Sequence, residues 1–187
     1  MKKMYFLLAT ILISFSVFAQ DMKVNTSKSE LKWTGKKVTG EHWGYIKLKD
    51  GSLTLKGDKI ASGTFTIDMN SMNCKDLEDP EWNGKLIGHL KSDDFFSVEK
   101  FPVSTLTITE GTPFKDGKAN VKGKLTIKGI TQPVSFVAEK MPDGYKASIT
   151  VDRTKYDVRY GSGKFFESLG DNMIYDDFTL DVKIVTE

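Results

Sequence analysis

The sequence predicts an all-β domain of eight or nine antiparallel strands, arranged as an up-and-down barrel or as a sandwich. Three observations support this prediction: apolar and polar residues alternate along most of the chain, short turns separate the alternating segments, and only one segment has helical spacing. Alternation is typical of a strand with one dry and one wet face, because successive side chains leave a strand on opposite sides. A closed sheet of such strands surrounds an apolar interior that is either packed solid or holds one small ligand.

Residues 123–136 show this alternation most clearly. Leu125 and Ile127 share one face of the first segment, and Val134 and Phe136 repeat the pattern in the second. The residues between the two segments, from Gly129 to Pro133, are typical of a turn. The sequence therefore predicts a hairpin here.

Nine strands, including the two of this hairpin, are predicted along the chain on the same alternation. They cover residues 31–35, 42–48, 53–55, 65–69, 105–109, 119–128, 134–138, 145–151 and 178–184. Turn residues that favour hairpins separate several of them, namely Asp50-Gly51, Gly57-Asp58, Asp116-Gly117 and Pro142-Asp143-Gly144.

Two segments break the alternation. Within residues 71–102, Trp82, Leu86 and Leu90 recur at helical spacing, which predicts a short amphipathic helix with one face on the barrel. A long ordered segment of this kind is either a lid over a binding site or a plug that closes one barrel end. The second break, residues 160–171, combines glycines with two aromatic side chains and is predicted to line the opposite rim.

Residues 1–19 are predicted to be a signal peptide, and residues 20–187 the mature domain. Two lysines precede an apolar run over residues 4–18, and small residues suit a signal-peptidase site after Ala19. The run is shorter than the ~20 residues of a membrane-spanning helix. We therefore expect an exported, soluble periplasmic protein without stable membrane insertion.

Charge and cysteine content limit the class of partner and the means of stabilisation. Because two of the 27 basic residues lie in the predicted signal peptide, 25 basic residues face 25 acidic ones in the mature domain. A zero net charge argues against nucleic acid as the main partner. Cys74 is the only cysteine, so the fold relies on its core and not on an internal disulfide. A homodimer through an exposed edge or rim is compatible with the sequence.

Five motifs in order along the mature chain carry a family resemblance. They are Gly40-Glu-His-Trp-Gly-Tyr-Ile46, Gly63-Thr-Phe-Thr-Ile-Asp68, His89-Leu-Lys-Ser-Asp-Asp-Phe-Phe-Ser-Val-Glu-Lys-Phe-Pro102, Gly123-Lys-Leu-Thr-Ile-Lys-Gly-Ile-Thr-Gln-Pro-Val134 and Asp152-Arg-Thr-Lys-Tyr-Asp-Val158. With them the chain resembles the YceI-like family of exported, lipocalin-like bacterial β-barrels associated with polyisoprenoid binding. The resemblance implies a lipocalin-like antiparallel up-and-down barrel of about eight strands, with a short helix in a long loop, that holds a long apolar lipid.

The sequence departs from the family pattern near the third motif. Ile87-Gly88 stands where the family often has an Arg-Asp pair, so a role of that charged pair cannot be carried over. Lys91 replaces the usual arginine, which keeps a positive charge but loses the planar fork suited to phosphate or carboxylate. The head group of the ligand is therefore left open.

The candidate ligand contacts are inward-facing strand residues together with side chains of the two long segments. They are Trp33, Ile46, Phe65, Ile67, Met69, Leu86, His89, Leu90, Phe96, Leu106, Leu125, Phe136, Ile149, Phe165 and Phe178. We expect no cofactor other than a bound isoprenoid-type lipid, and no metal, because the sequence spacing of histidines and cysteines matches no metal motif.

The sequence favours binding over catalysis. Its two histidines, His42 and His89, lie far apart in sequence, and neither a serine elbow nor a phosphate-binding glycine loop is present. A structural role suits His42, whereas His89 suits either a rim contact or a hydrogen bond to a ligand head group. The alternative to a lipid carrier is a solid-cored, non-catalytic interaction or stress-related module that binds a protein through its rim loops.

Overall fold

The computed structural model describes residues 19–187. Within them nine β-strands form a single sheet, and one α-helix lies in the connection between the fourth and fifth strands. The strands are β1 (Ala19–Lys23), β2 (Glu30–Lys37), β3 (Gly40–Lys56), β4 (Ile60–Asp68), β5 (Val103–Gly111), β6 (Lys118–Ile127), β7 (Ile130–Met141), β8 (Gly144–Asp152) and β9 (Ile174–Val185). Helix α1 spans Pro80–Lys91, and short 3₁₀ turns cover Met69–Ser71, Arg153–Tyr156 and Gly170–Asn172. The predicted signal peptide lies outside the described residues, apart from Ala19.

Strands β2 to β9 close into a barrel. Each strand pairs antiparallel with the next one in the chain, and β9 pairs with β2 to complete the circle. Strand β1 adds to the far half of β3, on the edge that β2 leaves free. The predicted antiparallel up-and-down barrel of about eight strands, with a short helix in a long loop, is confirmed. None of the helices within residues 19–187 is long and apolar enough to cross a membrane.

The connections alternate between two ends of the barrel, because neighbouring strands are antiparallel. We call these the loop end and the tight end. The loop end carries the β2–β3 turn (38–39), the long segment 69–102, the β6–β7 turn (128–129) and the loop 153–173. The prediction that residues 160–171 line the rim opposite the long segment is therefore wrong, because both connections lie at the same end. The tight end carries the shorter connections 57–59, 112–117 and 142–143.

Strand β3 continues through Asp50-Gly51, so the hairpin turn predicted there is wrong. The pairing of β3 with β4 shifts by one residue between Leu48 and Asp50, which is a β-bulge. Before the bulge the even-numbered residues Ile46 and Leu48 face inward, and after it the odd-numbered Leu53 does. All three side chains are buried. Asp and Gly favour irregular backbone. Because β3 stays paired with β4 on both sides of Asp50-Gly51, the irregularity is a bulge and the chain does not reverse its direction.

The β6–β7 turn is tighter than predicted. Lys128 and Gly129 both have positive φ, 50° and 74°, as a two-residue turn between twisted strands requires. Pro133 lies inside β7, opposite Lys124 of β6, and not in the turn. Within the described chain, β7 pairs with β8 only from Ala138 to Met141, so the missing N–H of the proline costs no hydrogen bond to β8.

Helix α1 is confirmed at the predicted place, but its first turn does not pack on the barrel. The Asp79 carboxylate caps the helix by accepting from the N–H groups of Glu81 and Trp82, and Pro80 begins it. Trp82 is 60% exposed and stacks with the Lys85 ammonium group 4.4 Å from its ring. The predicted contact of Trp82 with the barrel is therefore wrong, because the helix approaches the barrel through its second half.

Beyond the end of β4 the chain continues the sheet along β3. The Asn73 N–H donates to the Tyr45 carbonyl at 3.0 Å, and the Lys75 N–H donates to the Trp43 carbonyl at 2.9 Å. In return the Trp43 N–H donates to the Asp76 carboxylate at 2.7 Å, and the Tyr45 N–H donates to the Asn73 side chain at 3.1 Å. The start of the long segment is therefore held to β3 by a ladder of hydrogen bonds.

Gly44 makes this close approach possible. A Cβ atom at Gly44 would lie 1.9 Å from the carbonyl oxygen of Asn73, well inside van der Waals contact. The Trp33 indole donates to the same oxygen at 2.9 Å. The second glycine of the Gly-x-His-x-Gly motif thus has a steric reason in this fold.

We predict that Gly44→Ala lowers the free energy of unfolding by about 1–3 kcal/mol, because the new methyl group displaces the paired segment. Gly35→Ala is the matched control, since no described atom lies within 4 Å of its Cβ position. Its effect should stay within about 1 kcal/mol. Urea denaturation followed by tryptophan fluorescence measures both variants, and equal losses would contradict the steric explanation.

Tyr156 provides an alkaline stability prediction. Its side chain is 2% exposed in the core beside β6 and β8. Burial and the neighbouring Asp152 charge raise the pKa of Tyr156 from 10 to about 12. Since the unfolded state loses this proton first, stability should fall as pH rises from about 10 to 12, by an amount on the order of 2 kcal/mol.

The measurement is the difference in unfolding free energy between the wild type and Tyr156→Phe across that pH range. The phenylalanine variant should lose less stability above pH 10, because it has no phenol to ionise. Parallel curves for the two proteins would show that Tyr156 does not contribute.

Candidate ligand cavity

The barrel encloses a cavity of about 320 Å³, within the range of about 300–1,000 Å³ that is typical of small-molecule sites. Its wall is almost entirely apolar, because every second residue of each strand points inward. The strand residues in the wall include Leu31 and Trp33 of β2, Phe65 and Ile67 of β4, Leu125 and Ile127 of β6, Val134 and Phe136 of β7, Ala147 and Ile149 of β8, and Phe178 and Leu180 of β9.

Fourteen of the fifteen predicted contact residues line this cavity. The strands contribute nine of them, Met69 follows β4, and α1 together with the chain after it contributes the rest, namely Leu86, His89, Leu90 and Phe96. The structure thus brings residues of ten different sequence regions to one wall. Contact with a ligand remains a prediction for each of them.

Phe165 is the exception, because it does not line the cavity. Its ring is 45% exposed, and the Arg159 guanidinium lies 4.9 Å from the ring centre. Its N–H donates to the Ser162 carbonyl at 3.1 Å, which forms a local turn. The sequence of this glycine-rich loop did not show whether its two aromatic side chains face the cavity or solvent.

Sequence reasoning missed further wall residues. Leu53, Ile60, Ile108, Ala138, Tyr145, Val182 and Ile184 line the cavity toward the tight end, and Met72 and Phe95 do so from the long segment. Alternation could have identified most of the strand residues among them, because they lie two or four positions from a predicted inward-facing residue of the same strand. Leu53 required knowledge of the β3 bulge, which only pairing with β4 reveals.

The tight end of the barrel is closed by packed side chains. Phe114 and Tyr145 stack with ring centres 5.7 Å apart, and the Lys140 ammonium group lies 4.5 Å from the Phe114 ring. Lys140 also pairs with Asp58 of the adjacent turn. A ligand that enters along the barrel axis must therefore do so from the loop end.

At the loop end, α1 turns Leu86, His89 and Leu90 toward the cavity. The His89 ring packs edge-on against Phe95 and Tyr160, with centre distances of 4.9 and 4.5 Å. Its Nε2 atom lies 3.5 Å from an oxygen of the exposed Asp94 carboxylate. His89 thus joins the long segment to the loop 153–173 and presents a polar edge at the rim.

Arg153 holds the loop 153–173 against β9 from inside the protein. Its side chain is 3% exposed and donates to the carbonyl oxygens of Tyr175, Val158 and Ile174 at 3.1, 2.8 and 3.0 Å. Burial lowers the pKa of the guanidinium from its ordinary value, opposed by the nearby Asp176 charge. The fifth motif is therefore explained structurally, since this arginine braces the rim and also lines the cavity.

The sequence and the fold are similar to those of known proteins. The family model for the YceI-like domain matches residues 22–186. A UPF0312 protein of Vibrio vulnificus strain YJ016 is 31% identical over 52% of this chain and 52% of its own length. A UPF0312 protein of Photorhabdus laumondii is 36% identical over 56% of this chain and 53% of its own length. The chain spans about half the length of the curated relatives it matches.

Solved structures share the fold. Burkholderia cenocepacia BcnA matches 87% of this chain and 98% of its own, with a TM-score of 0.68 and 24% identity. A polyisoprenoid binding domain from Saccharophagus degradans matches 89% of this chain and 97% of its own, with a TM-score of 0.59 and 14% identity. Because the family model covers nearly all of the described residues, the chain belongs to the family of YceI-like domains.

Proposed function

We propose that this protein binds a long apolar isoprenoid-type lipid, either a polyprenyl chain or a quinone, inside the barrel and carries it through the periplasm. The single observation that supports this proposal most is the apolar cavity of about 320 Å³ at the barrel centre. The Saccharophagus degradans neighbour is described as a polyisoprenoid binding domain, and that description suggests the class of ligand.

Burial of hydrocarbon would supply the affinity. A flexible chain that buries some fifteen CH₂ equivalents at ~0.8 kcal/mol each gains roughly 12 kcal/mol before costs. The lost freedom of the ligand offsets several kcal/mol of that gain. The apolar wall therefore suits micromolar to nanomolar binding without a charged anchor.

The rim would orient the ligand. Leu86 and Leu90 of α1 face the cavity together with His89, so the second half of the helix forms a cover whose inner face is apolar except for one imidazole. A quinone or alcohol head group at the loop end lies within reach of this imidazole in our proposal. Polar contacts of this kind set orientation more than affinity.

Binding without catalysis also agrees with the contacts of the two histidines. The His42 Nδ1 atom lies 2.8 Å from the Asp76 carboxylate, which in turn accepts from a backbone N–H. His89 is packed between two aromatic rings. Each imidazole therefore already contacts neighbouring side chains in the described part of the chain.

The first test is native mass spectrometry of the protein purified from its native compartment, followed by organic extraction. We expect a bound mass that is released as a prenyl lipid. A mass without ligand, combined with no uptake of quinones or polyprenols, would contradict the proposal. That outcome would favour the alternative of a non-catalytic module that binds a protein through its rim loops.

A bulky substitution in the wall should block the cavity. Ala147 of β8 is half-buried and lines it, whereas Thr150 of the same strand is exposed. We predict that Ala147→Trp weakens binding of a fluorescent prenyl probe by about tenfold or more, a loss of about 1.4 kcal/mol or greater. Thr150→Trp is the matched control and should bind like the wild type.

Fluorescence titration gives the dissociation constants, and circular dichroism verifies that both variants are folded. Unchanged binding by a folded Ala147→Trp variant would place the probe outside the barrel.

A further inference from the structure

Three side chains that metals favour as ligands meet where the long segment pairs with β3, and one of them, His42, also lines the cavity. His42 comes from β3, and Cys74 and Asp76 come from the segment after β4. One ligand atom from each lies within 4.8 Å of the other two. His42 Nδ1 is 2.8 Å from Asp76 Oδ2, and Cys74 Sγ is 3.3 Å from Asp76 Oδ1.

We propose that His42, Cys74 and Asp76 form a binding site for one divalent cation of the zinc type. Imidazole nitrogen, thiolate sulfur and carboxylate oxygen are the ligands that zinc takes in proteins. In a tetrahedral zinc site, such ligand atoms lie about 3.4 to 3.6 Å apart. The atoms of this cluster need to move by about an ångström or less to reach that spacing.

Hydrogen bonds already hold the backbone around the cluster in place without a bound ion. The N–H of Trp43 donates to Asp76 Oδ1, and the N–H of Lys75 donates to the Trp43 carbonyl, so the segment after β4 cannot easily separate from β3. Asn83 of α1 adds a hydrogen bond from its side chain to the Cys74 carbonyl at 3.2 Å. A site held by a strand, the segment paired with it and a helix loses little freedom when a cation binds.

The balance of charge also favours a divalent cation. Cys74 is 6% exposed and has a carboxylate beside it, so its thiolate would be a second negative charge in a partly buried place. A divalent cation neutralises the thiolate and the carboxylate together and leaves the imidazole neutral. Binding would displace the thiol proton into solvent, about one proton for each ion.

The half-exposed His42 side chain provides access. It is 34% exposed, while the Asp76 side chain is 21% exposed, so an ion reaches the cluster from solvent without opening the barrel. Three protein ligands leave one position of a tetrahedron for water. The cation is therefore reached from solvent, and its binding can be measured without a lipid in the cavity.

The test is a titration of the processed, tag-free, reduced protein with Co²⁺ and then Zn²⁺. We expect one Co²⁺ per chain, a thiolate-to-cobalt charge-transfer band in the near ultraviolet, and displacement of cobalt by zinc. Cys74→Ser should abolish that band, and His42→Gln or Asp76→Asn should weaken zinc binding by about tenfold or more.

His89 and Asp94 provide the matched control. They also pair, with 3.5 Å between Nε2 and the carboxylate, but no cysteine accompanies them. His89→Gln should leave the zinc affinity and the cobalt band unchanged, and circular dichroism should show that all variants are folded. Absence of the charge-transfer band in the wild type, or its persistence in Cys74→Ser, would overturn the proposal.

Discussion

The pairing of β9 with β2 is the constraint on which the rest of the structure depends. It joins the last strand of the barrel to the first and leaves neither with a free edge. Closure also makes the inward faces of eight strands meet around one axis, so that apolar alternation becomes an enclosed cavity. Without this pairing the same strands would form an open sheet with one apolar face, and α1 would have no rim to cover.

The long strand β3 links the cavity to the rest of the protein. Its second half pairs with β1 and β4, and its first half pairs with β2 and, through Trp43 and Tyr45, with the segment after β4. The bulge at Asp50 lets both halves present apolar side chains to the interior. One strand therefore supplies cavity wall, the anchor of the long segment, and the histidine of the cation site.

Much of the candidate site could be predicted because inward orientation is a local property. In a strand, successive side chains point to opposite faces, so Phe65 and Ile67 could be assigned to the inward face from the polar residues between and beside them. The loop residues did not follow such a rule. Trp82 and Phe165 are large and apolar like the true wall residues, but their positions depend on where a helix or turn meets the barrel, which no local pattern records.

The class of fold, most strand positions and the apolar character of the interior could be predicted from the sequence, because they follow from alternation and turn chemistry along the chain. Pairing between distant segments sets the register of the strands, and with it the β3 bulge and the approach of Asn73 to Gly44. It also brought Cys74 and Asp76 to His42, residues more than thirty positions away in sequence. These contacts depend on hydrogen bonds between segments that are far apart in sequence. The local pattern of a strand does not identify the segment with which it pairs.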